Sequence, residues 1–182
     1  KIFNNTEVAF ALKSDTELDR AYFLFKMIAS EPLVRIGTAV TNFALKAHLP
    51  VDGLIRATVF DHFCGGVNEM DCLSVVDKMY TKGVSSVLDY SVEGKEEEAQ
   101  FDAALQMTLK TVEFAKERQA IPFAVFKPTG LGRLDLYTKV GEKQPLSAEE
   151  QVEWNKVKER FEIICKTAHS KDVALLIDAE ES

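Results

Sequence analysis

The first part of the chain carries apolar residues at the three- and four-residue spacing of amphipathic helices. One apolar stripe begins after Ser14 and stops at Pro32, and further stripes follow up to residue 83. Helices are therefore predicted over residues 15–31, 33–46, 53–63 and 70–82. Glycines follow the last two of them, in the position where helices commonly end. We interpret residues 1–83 as an N-terminal helical segment.

From residue 84 onwards the pattern changes to short apolar runs that alternate with helices. Strands are predicted over residues 84–90, 123–127 and 173–178, and helices between them over residues 95–119 and 148–170. The second of these helices opens with a capping box formed by Ser147 and Glu150. Near-continuous apolar strands separated by helices are typical of a parallel sheet that is buried on both faces. The strands should then lie side by side in chain order.

The spacing of the predicted strands indicates a larger array. They begin near residues 84, 122 and 172, an average step of about 44 residues. Eight units at that step need about 350 residues, inside the range of (β/α)8 barrels. A small open sheet is the alternative, but it would leave both edges bare. We predict an α/β fold in which residues 84–182 are the first three β/α units of a partial (β/α)8 TIM-like barrel. Its remainder is then absent here, and an exposed apolar last strand would favour self-association.

Composition narrows the function classes. The chain has 182 residues, of which 46% are apolar and 28% charged, enough for a globular core. The net charge of −7 argues against a nucleic-acid partner, because phosphate contacts need a basic surface. No apolar run approaches the ~18 residues of a membrane span. Three cysteines without a CxxC motif and three dispersed histidines predict neither a disulfide framework nor a metal site. They favour a reducing, intracellular compartment.

Ionisable residues stand at the end of each predicted strand. Asp89 ends the first, Lys127 follows the second, and Asp178, Glu180 and Glu181 follow the third. Because the carboxyl ends of barrel strands meet at one face, these side chains should line one pocket mouth. The pattern predicts a functional site there without specifying its reaction.

Four motifs in this part of the chain resemble the proline dehydrogenase family. They read FDHFCGG over residues 60–66, GVSSVLDYSVE over residues 83–93, FKPTGLGR over residues 126–133 and LIDAE over residues 176–180. The motifs occur in the family's order, the last three at successive strand ends, and the resemblance covers about residues 50–182. It implies a (β/α)8 barrel preceded by a helical segment.

What the resemblance implies is a flavoenzyme. Members of this family use non-covalent FAD to oxidise L-proline to 1-pyrroline-5-carboxylate in proline catabolism, and they pass the electrons to membrane quinone. The implied partners are therefore L-proline and a quinone acceptor. The implied location is the cytoplasm, with peripheral association on the inner face of a membrane.

The resemblance also carries roles onto particular residues. Asp89 and Lys127 match catalytic positions, and a carboxylate at Asp89 would stabilise the positive charge that develops on the proline nitrogen. Arg56 is the residue predicted to bind substrate. The predicted flavin contacts are Tyr90, Gly130, Ala179, Glu180 and Glu181.

The chain departs from the family's pattern in its arginines, and two alternative functions stay open. The arginine pair with which the family grips the proline carboxylate, in the last barrel helix, has no counterpart here, so this chain alone is predicted to be inactive. The alternatives are another flavin-binding TIM-barrel oxidoreductase, similar to methylenetetrahydrofolate reductase, and a non-catalytic α/β association module. A yellow protein would exclude the module, and turnover of proline would distinguish the two oxidoreductases.

Overall fold

A computed structural model describes residues 4–89 and 96–179. The chain forms two compact units, residues 1–78 and residues 79–182. This division falls shortly before the boundary that the sequence predicts after residue 83.

The described residues up to Tyr80 form helices that are joined by turns and loops, without a strand. They are α1 (Thr6–Ala9), α2 (Asp15–Ile28), α3 (Glu31–Lys46), α4 (Asp52–Ile55), α5 (Asp61–Phe63) and α6 (Glu69–Tyr80). A π-helical turn over Arg56–Phe60 joins α4 to α5. The predicted helix over residues 53–63 therefore contains a change of helical geometry that its apolar spacing does not reveal.

Side chains near the start of α2 explain where it begins. The Ser14 hydroxyl accepts from the Glu17 N–H at 3.3 Å, and the Glu17 carboxylate accepts from the Ser14 N–H at 2.8 Å. The helix ends at Ile28, ahead of Pro32, which lies instead in the first turn of α3. Proline is accepted there because first-turn N–H groups have no partner inside the helix.

The second unit contains a small parallel sheet with helices around it. Its elements are α7 (Glu98–Ala115), β1 (Phe123–Phe126), α8 (Leu134–Gly141), α9 (Ala148–Ser170) and β2 (Ala174–Ile177). The strands β1 and β2 are parallel neighbours, with Ala124 opposite Leu175. Ser147 caps α9 through the predicted capping box with Glu150.

The first predicted strand, over residues 84–90, is not a full strand within the described part of the chain. Leu88 makes one parallel bridge to Ala124, and the Ser86 N–H donates to the Ala120 carbonyl at 2.8 Å. Because Ala124 also pairs with β2, the segment lies on the other side of β1. Its direction and its place in the order are those predicted, but its pairing is limited to this bridge.

Weak packing explains the difference. The side chains of Val84 and Val87 are 44% and 39% exposed, so few apolar contacts hold the segment along the length of β1. The structure thus shows a two-stranded parallel sheet with one additional bridge. The partial (β/α)8 barrel stays a prediction.

Helices α7 and α9 pack on the sheet and form the core with it. The largest buried cluster described consists of Ala104, Leu105, Phe126, Leu131 and Ile164. The ring of Phe126 also meets that of Phe161 edge-on, with the ring centres 5.1 Å apart. This cluster joins β1 to both helices.

The strand β2 is only partly covered. Leu175 packs against the core, whereas Leu176 and Ile177 are 41% and 57% exposed. An apolar run of this kind is typical of a strand that is buried on both faces, and the described residues do not cover β2 to that extent. An exposed apolar last strand is what the sequence leads us to expect and what the structure shows.

Two features of the second unit have no signal in the apolar pattern. The helix α7 ends at Ala115 rather than near residue 119, because Lys116 leaves the helical conformation with ψ 130°. Glu117 then adopts a left-handed conformation with φ 64°. The short helix α8 follows β1 and is anchored by Leu136, which is 1% exposed.

We expect Gly132→Ala to destabilise the second unit. A Cβ atom at this position would lie 2.5 Å from Val157 Cγ2 of α9, and overpacking of this kind costs about 1–3 kcal/mol of the free energy of unfolding. Gly141→Ala is the matched control, because a Cβ atom there has no neighbour within 4 Å. Its free energy of unfolding should stay within about 0.5 kcal/mol or rise. Urea unfolding followed by circular dichroism measures both, and equal effects would contradict the expectation.

Candidate functional site

An ion pair lies at the carboxyl end of β1. Lys127 directly follows the strand, and its Nζ atom lies 3.7 Å from Asp89 Oδ2. The bridge between Leu88 and Ala124 brings Asp89 to this end, because it sets the two segments side by side. The structure therefore brings together the two residues that the sequence predicts to be catalytic.

The two partners differ in burial. The side chain of Lys127 is 9% exposed and that of Asp89 is 37% exposed. Burial of an ammonium group is unfavourable unless a counter-charge and acceptors are near, so Asp89 favours a charged Lys127 at this depth. The carboxylate is the more accessible half of the pair and can reach a molecule bound at this edge of the sheet.

The chain turns back directly after Lys127, in a segment of residues 127–133 that we call the post-β1 loop. A 3-10 turn forms its first half. The Gly130 N–H donates to the Lys127 carbonyl at 3.0 Å, and the Leu131 N–H donates to the Pro128 carbonyl at 2.9 Å. Gly130, a predicted flavin contact, is buried and belongs to the hydrogen-bonded turn that supports Lys127.

Side chains of α8 and α9 hold the post-β1 loop. The Tyr137 hydroxyl donates to the Pro128 carbonyl at 2.7 Å, and Arg160 Nη1 donates to the Leu131 carbonyl at 3.0 Å. Burial raises the pKa of Tyr137, and the charge of Arg160 opposes this only in part. The Tyr137 hydroxyl therefore stays protonated and remains a donor to the loop.

Sequence reasoning missed Tyr137 and Arg160. A signal for Arg160 does exist, because it lies between Val157 and Ile164 on the buried face of α9. A charged residue on such a face needs partners. No comparable signal marks Tyr137.

The cavity beside Lys127 is too small for a flavin. It measures about 20 Å³ and is lined by Gly130, Leu131 and Thr108 among others, so it has room for about one water molecule. Ala179, which lies at the carboxyl edge of the sheet, is exposed within the described part of the chain. At this edge, the nearly buried ammonium of Lys127 and the more exposed carboxylate of Asp89 are polar groups that a bound flavin ring would need beside it.

The remaining predicted flavin contacts are placed only in part. The Asp178 N–H donates to the Phe126 carbonyl at 3.0 Å, which continues the pairing of β2 with β1. Ala179 follows at the same edge of the sheet as Lys127. Tyr90, Glu180 and Glu181 lie outside the described residues.

Arg56, which is predicted to bind substrate, lies in the first unit. It opens the π-helical turn, and its exposed guanidinium lies 3.8 Å from Asp61 Oδ1 and 3.8 Å from Asp71 Oδ2. Both carboxylates attract the charge of Arg56 at the surface of this unit. Its role toward a substrate stays a prediction.

The described residues show neither a metal site nor a membrane span. Among them, no group of His, Cys, Asp and Glu side chains is arranged to hold a metal ion. No helix within residues 4–89 and 96–179 combines the length and the apolar character that crossing a bilayer requires. Cys64, Cys72 and Cys165 are free thiols.

Comparison with known families identifies the region that contains this site. The family described as proline dehydrogenase matches residues 72–182, more than half of the chain, including both strands and the Asp89–Lys127 pair. The chain belongs to the proline dehydrogenase family. The resemblance carried by the strand-end motifs is thereby confirmed, and the Asp89–Lys127 pair lies inside the region that matches the family.

The curated proteins that this chain resembles are longer than the chain itself. Carbapenem antibiotics biosynthesis protein CarD of Pectobacterium carotovorum subsp. carotovorum is 31% identical over 160 residues, which cover 87% of this chain and 43% of that protein. Proline dehydrogenase 1, mitochondrial, of Arabidopsis thaliana is 26% identical over 209 residues, covering 92% of this chain and 42% of that protein. The chain therefore spans less than half the length of these relatives. No solved structure matches the chain significantly.

We expect Asp89 and Lys127 to be energetically coupled. In a double-mutant cycle of Asp89→Asn and Lys127→Met, the free energies of unfolding should be non-additive by about 0.5–3 kcal/mol, because Lys127 is largely buried. Lys166 and Glu162 are the control pair, with a shorter distance of 2.6 Å but side chains that are 74% and 62% exposed. Solvent screening should leave that pair nearly additive. Urea unfolding measures both cycles, and a coupling no larger than the control's would argue against a specific pair.

Proposed function

We propose that this protein is an FAD-dependent proline dehydrogenase that oxidises L-proline to 1-pyrroline-5-carboxylate and passes the electrons to a quinone. The observation that carries the proposal is the Asp89–Lys127 pair at the carboxyl end of β1, inside the region that matches the family. Membership of this family supports an oxidoreductase with proline as its substrate. The proposal adds FAD as the cofactor and a quinone as the electron acceptor.

We further propose that the sheet of β1 and β2 belongs to a (β/α)8 barrel. The two strands are parallel neighbours with helices between them in the chain, the arrangement that repeats in such barrels. Barrel enzymes carry their functional groups at the carboxyl ends of the strands, where Lys127 lies. Because the chain spans less than half of its relatives, we expect it to be inactive by itself. Other parts of the barrel would supply the arginines for the proline carboxylate.

The residues of this chain would orient and polarise the substrate. Loss of a hydride from the carbon beside the proline nitrogen leaves positive charge, and a fixed carboxylate at Asp89 stabilises that charge. Lys127 holds the carboxylate in place and offers its own donors to an anionic group. FAD, when bound, supplies the hydride acceptor. The proposed flavin contacts are Tyr90, Gly130, Ala179, Glu180 and Glu181, with Arg56 proposed to bind substrate.

The proposed quinone acceptor suggests a location for the protein at a membrane. Quinones dissolve in membranes, so we propose that the protein associates peripherally with a membrane surface. The plant relative and a worm relative from Caenorhabditis elegans are named as mitochondrial proline dehydrogenases, whereas the sequence leads us to propose a cytoplasmic protein at the inner face of a membrane. Co-sedimentation with quinone-containing vesicles tests the association.

A second candidate is a biosynthetic role. The Pectobacterium relative, whose match covers 87% of this chain, is named for carbapenem antibiotic biosynthesis. Oxidation of a pyrrolidine carboxylate would then serve to build a product. Deletion of the gene distinguishes the two roles: loss of growth on proline as the sole nitrogen source supports catabolism, and unchanged growth supports biosynthesis.

Purification of the full-length gene product tests the proposed function. A proline dehydrogenase should be yellow, with flavin absorbance in the visible blue, and proline should bleach it under anaerobic conditions. A colourless protein would support an association module. A yellow protein that proline does not bleach would support another flavin-dependent oxidoreductase, such as one similar to methylenetetrahydrofolate reductase.

We expect Asp89→Ala to lower the rate of flavin reduction by proline at least about tenfold, or about 1.4 kcal/mol of transition-state stabilisation. The melting temperature should fall by only a few degrees, because Asp89 is partly exposed and lies outside the buried core. Glu162→Ala is the matched control, since it removes an exposed carboxylate from α9, and it should leave the rate unchanged. Rapid-mixing absorbance measures both variants. A rate for Asp89→Ala within about threefold of wild type would assign Asp89 to loop ordering instead.

A further inference from the structure

Arg160 of α9 carries a charge into the core of the second unit. Its side chain is 5% exposed. Burial by itself lowers the pKa of the guanidinium, but hydrogen bonds with Glu98 and Asp102 outweigh burial and raise it. Arg160 therefore stays charged inside the unit, and its partners decide what it does there.

The guanidinium reaches two separate elements. On the side of α7, Nε donates to Asp102 Oδ1 at 3.0 Å, and Nη2 donates to Asp102 Oδ1 at 2.7 Å and to Glu98. On the side of the sheet, Nη1 donates to the Leu131 carbonyl at 3.0 Å. Arg160 thus links α7 to the post-β1 loop through one rigid, planar group.

The two contacts differ in what their loss would leave behind. Glu98 and Asp102 are 40% and 66% exposed, so water can solvate their carboxylates if Arg160 is removed. Leu131 is 1% exposed and its hydrogen bond with Arg160 is buried. An unsatisfied buried carbonyl is costly, so the loop depends on Arg160 more than the helix does.

Hydrogen bonds connect this contact to Lys127. The Leu131 N–H donates to the Pro128 carbonyl, and the Gly130 N–H donates to the Lys127 carbonyl. The loop also packs closely on α9 at Gly132, where a Cβ atom has no room. The orientation of the Leu131 peptide therefore constrains the backbone from which the Lys127 side chain extends.

We propose that Arg160 is a positioning residue for the candidate site. By holding the Leu131 carbonyl it fixes the post-β1 loop, and the fixed loop keeps the Lys127 ammonium beside Asp89. The expected effect of Arg160 on the binding of flavin and substrate rests on the proposed function. Its expected effect on the exposure of Lys127 does not. Loss of Arg160 lets the loop shift and exposes the ammonium, although neither member of the ion pair is changed.

Two variants separate the loop contact from the helix contact. Arg160→Met removes the donor to Leu131 and keeps a side chain of similar length. Asp102→Ala removes the main partner in α7 but leaves Arg160, Glu98 and the bond to Leu131 in place. If Arg160 serves only to join α7 to α9, both variants should affect Lys127 equally. The positioning role predicts that Arg160→Met disturbs Lys127 and Asp102→Ala does not.

Acylation of lysines, followed by mass spectrometry of the folded full-length protein, measures the exposure of Lys127 directly. The measurement needs neither bound flavin nor turnover, and Lys166, which is 74% exposed, is the internal reference. In Arg160→Met the acylation of Lys127 relative to Lys166 should rise about tenfold because the shifted loop exposes the ammonium, an effect of the size seen when a residue that orients a metal ligand is lost. In Asp102→Ala it should stay within about twofold of wild type.

Titration of the apoprotein with FAD, followed by flavin fluorescence, gives a second readout. The Kd for FAD should rise about tenfold in Arg160→Met and stay within about twofold of wild type in Asp102→Ala. Wild-type protein that binds no FAD would overturn the proposed function, while lysine acylation would still decide the role of Arg160.

Equal changes in the two variants, or unchanged acylation of Lys127 in Arg160→Met, would overturn the proposal. Circular dichroism checks that both variants fold. Arg160→Lys replaces Arg160→Met if the latter does not fold, because lysine keeps the charge beside Asp102 but lacks the second donor arm toward Leu131. Acylation of Lys127 should rise in that variant too, and acylation at the wild-type rate would equally overturn the proposal.

Discussion

The parallel pairing of β1 with β2 is the constraint on which the second unit depends. Its register sets Phe126 opposite Ile177, so both strands end at the same edge of the sheet and the segments that follow them start there. The same geometry applies to the bridge between Leu88 and Ala124. The bridge and the hydrogen bond from Ser86 to Ala120 together bring residue 89 close to residue 127.

Lys127 and Arg160 are nearly buried cations of the second unit, and their surroundings differ. Lys127 is a compact charge at the edge of the sheet, next to a carboxylate that remains accessible. Arg160 lies deeper, and its planar group has enough donors to contact Asp102 and Leu131 at once. An arginine cannot lose its proton under ordinary conditions and suits a fixed structural contact, whereas a lysine at an opening can respond to a bound molecule.

Short-range signals account for the part of the fold that the sequence reveals. The capping box at Ser147 involves residues three positions apart, and β1 and β2 are continuous apolar runs. The partners of Arg160 lie 29, 58 and 62 positions away in the chain, and no local pattern could indicate them. The contact of Asp89 with Lys127 is also long-range, but it could be predicted, because parallel topology alone brings strand ends together. The extent to which residues 84–90 pair as a strand could not be predicted from those residues alone, because the pairing depends on packing against residues far away in the chain.

The π-helical turn over Arg56–Phe60 makes this stretch tolerant of a change in length. A π turn accommodates one residue more than an α-helical turn, so the residues after it point as they would in a helix that is one residue shorter. Phe25 packs beside His62 and Phe63, with ring-centre distances of 5.2 Å and 6.1 Å. A deletion of one residue inside the turn would leave both rings facing Phe25. The same deletion in regular helix would rotate the following residues by about 100°, so a one-residue deletion among relatives should fall at this turn.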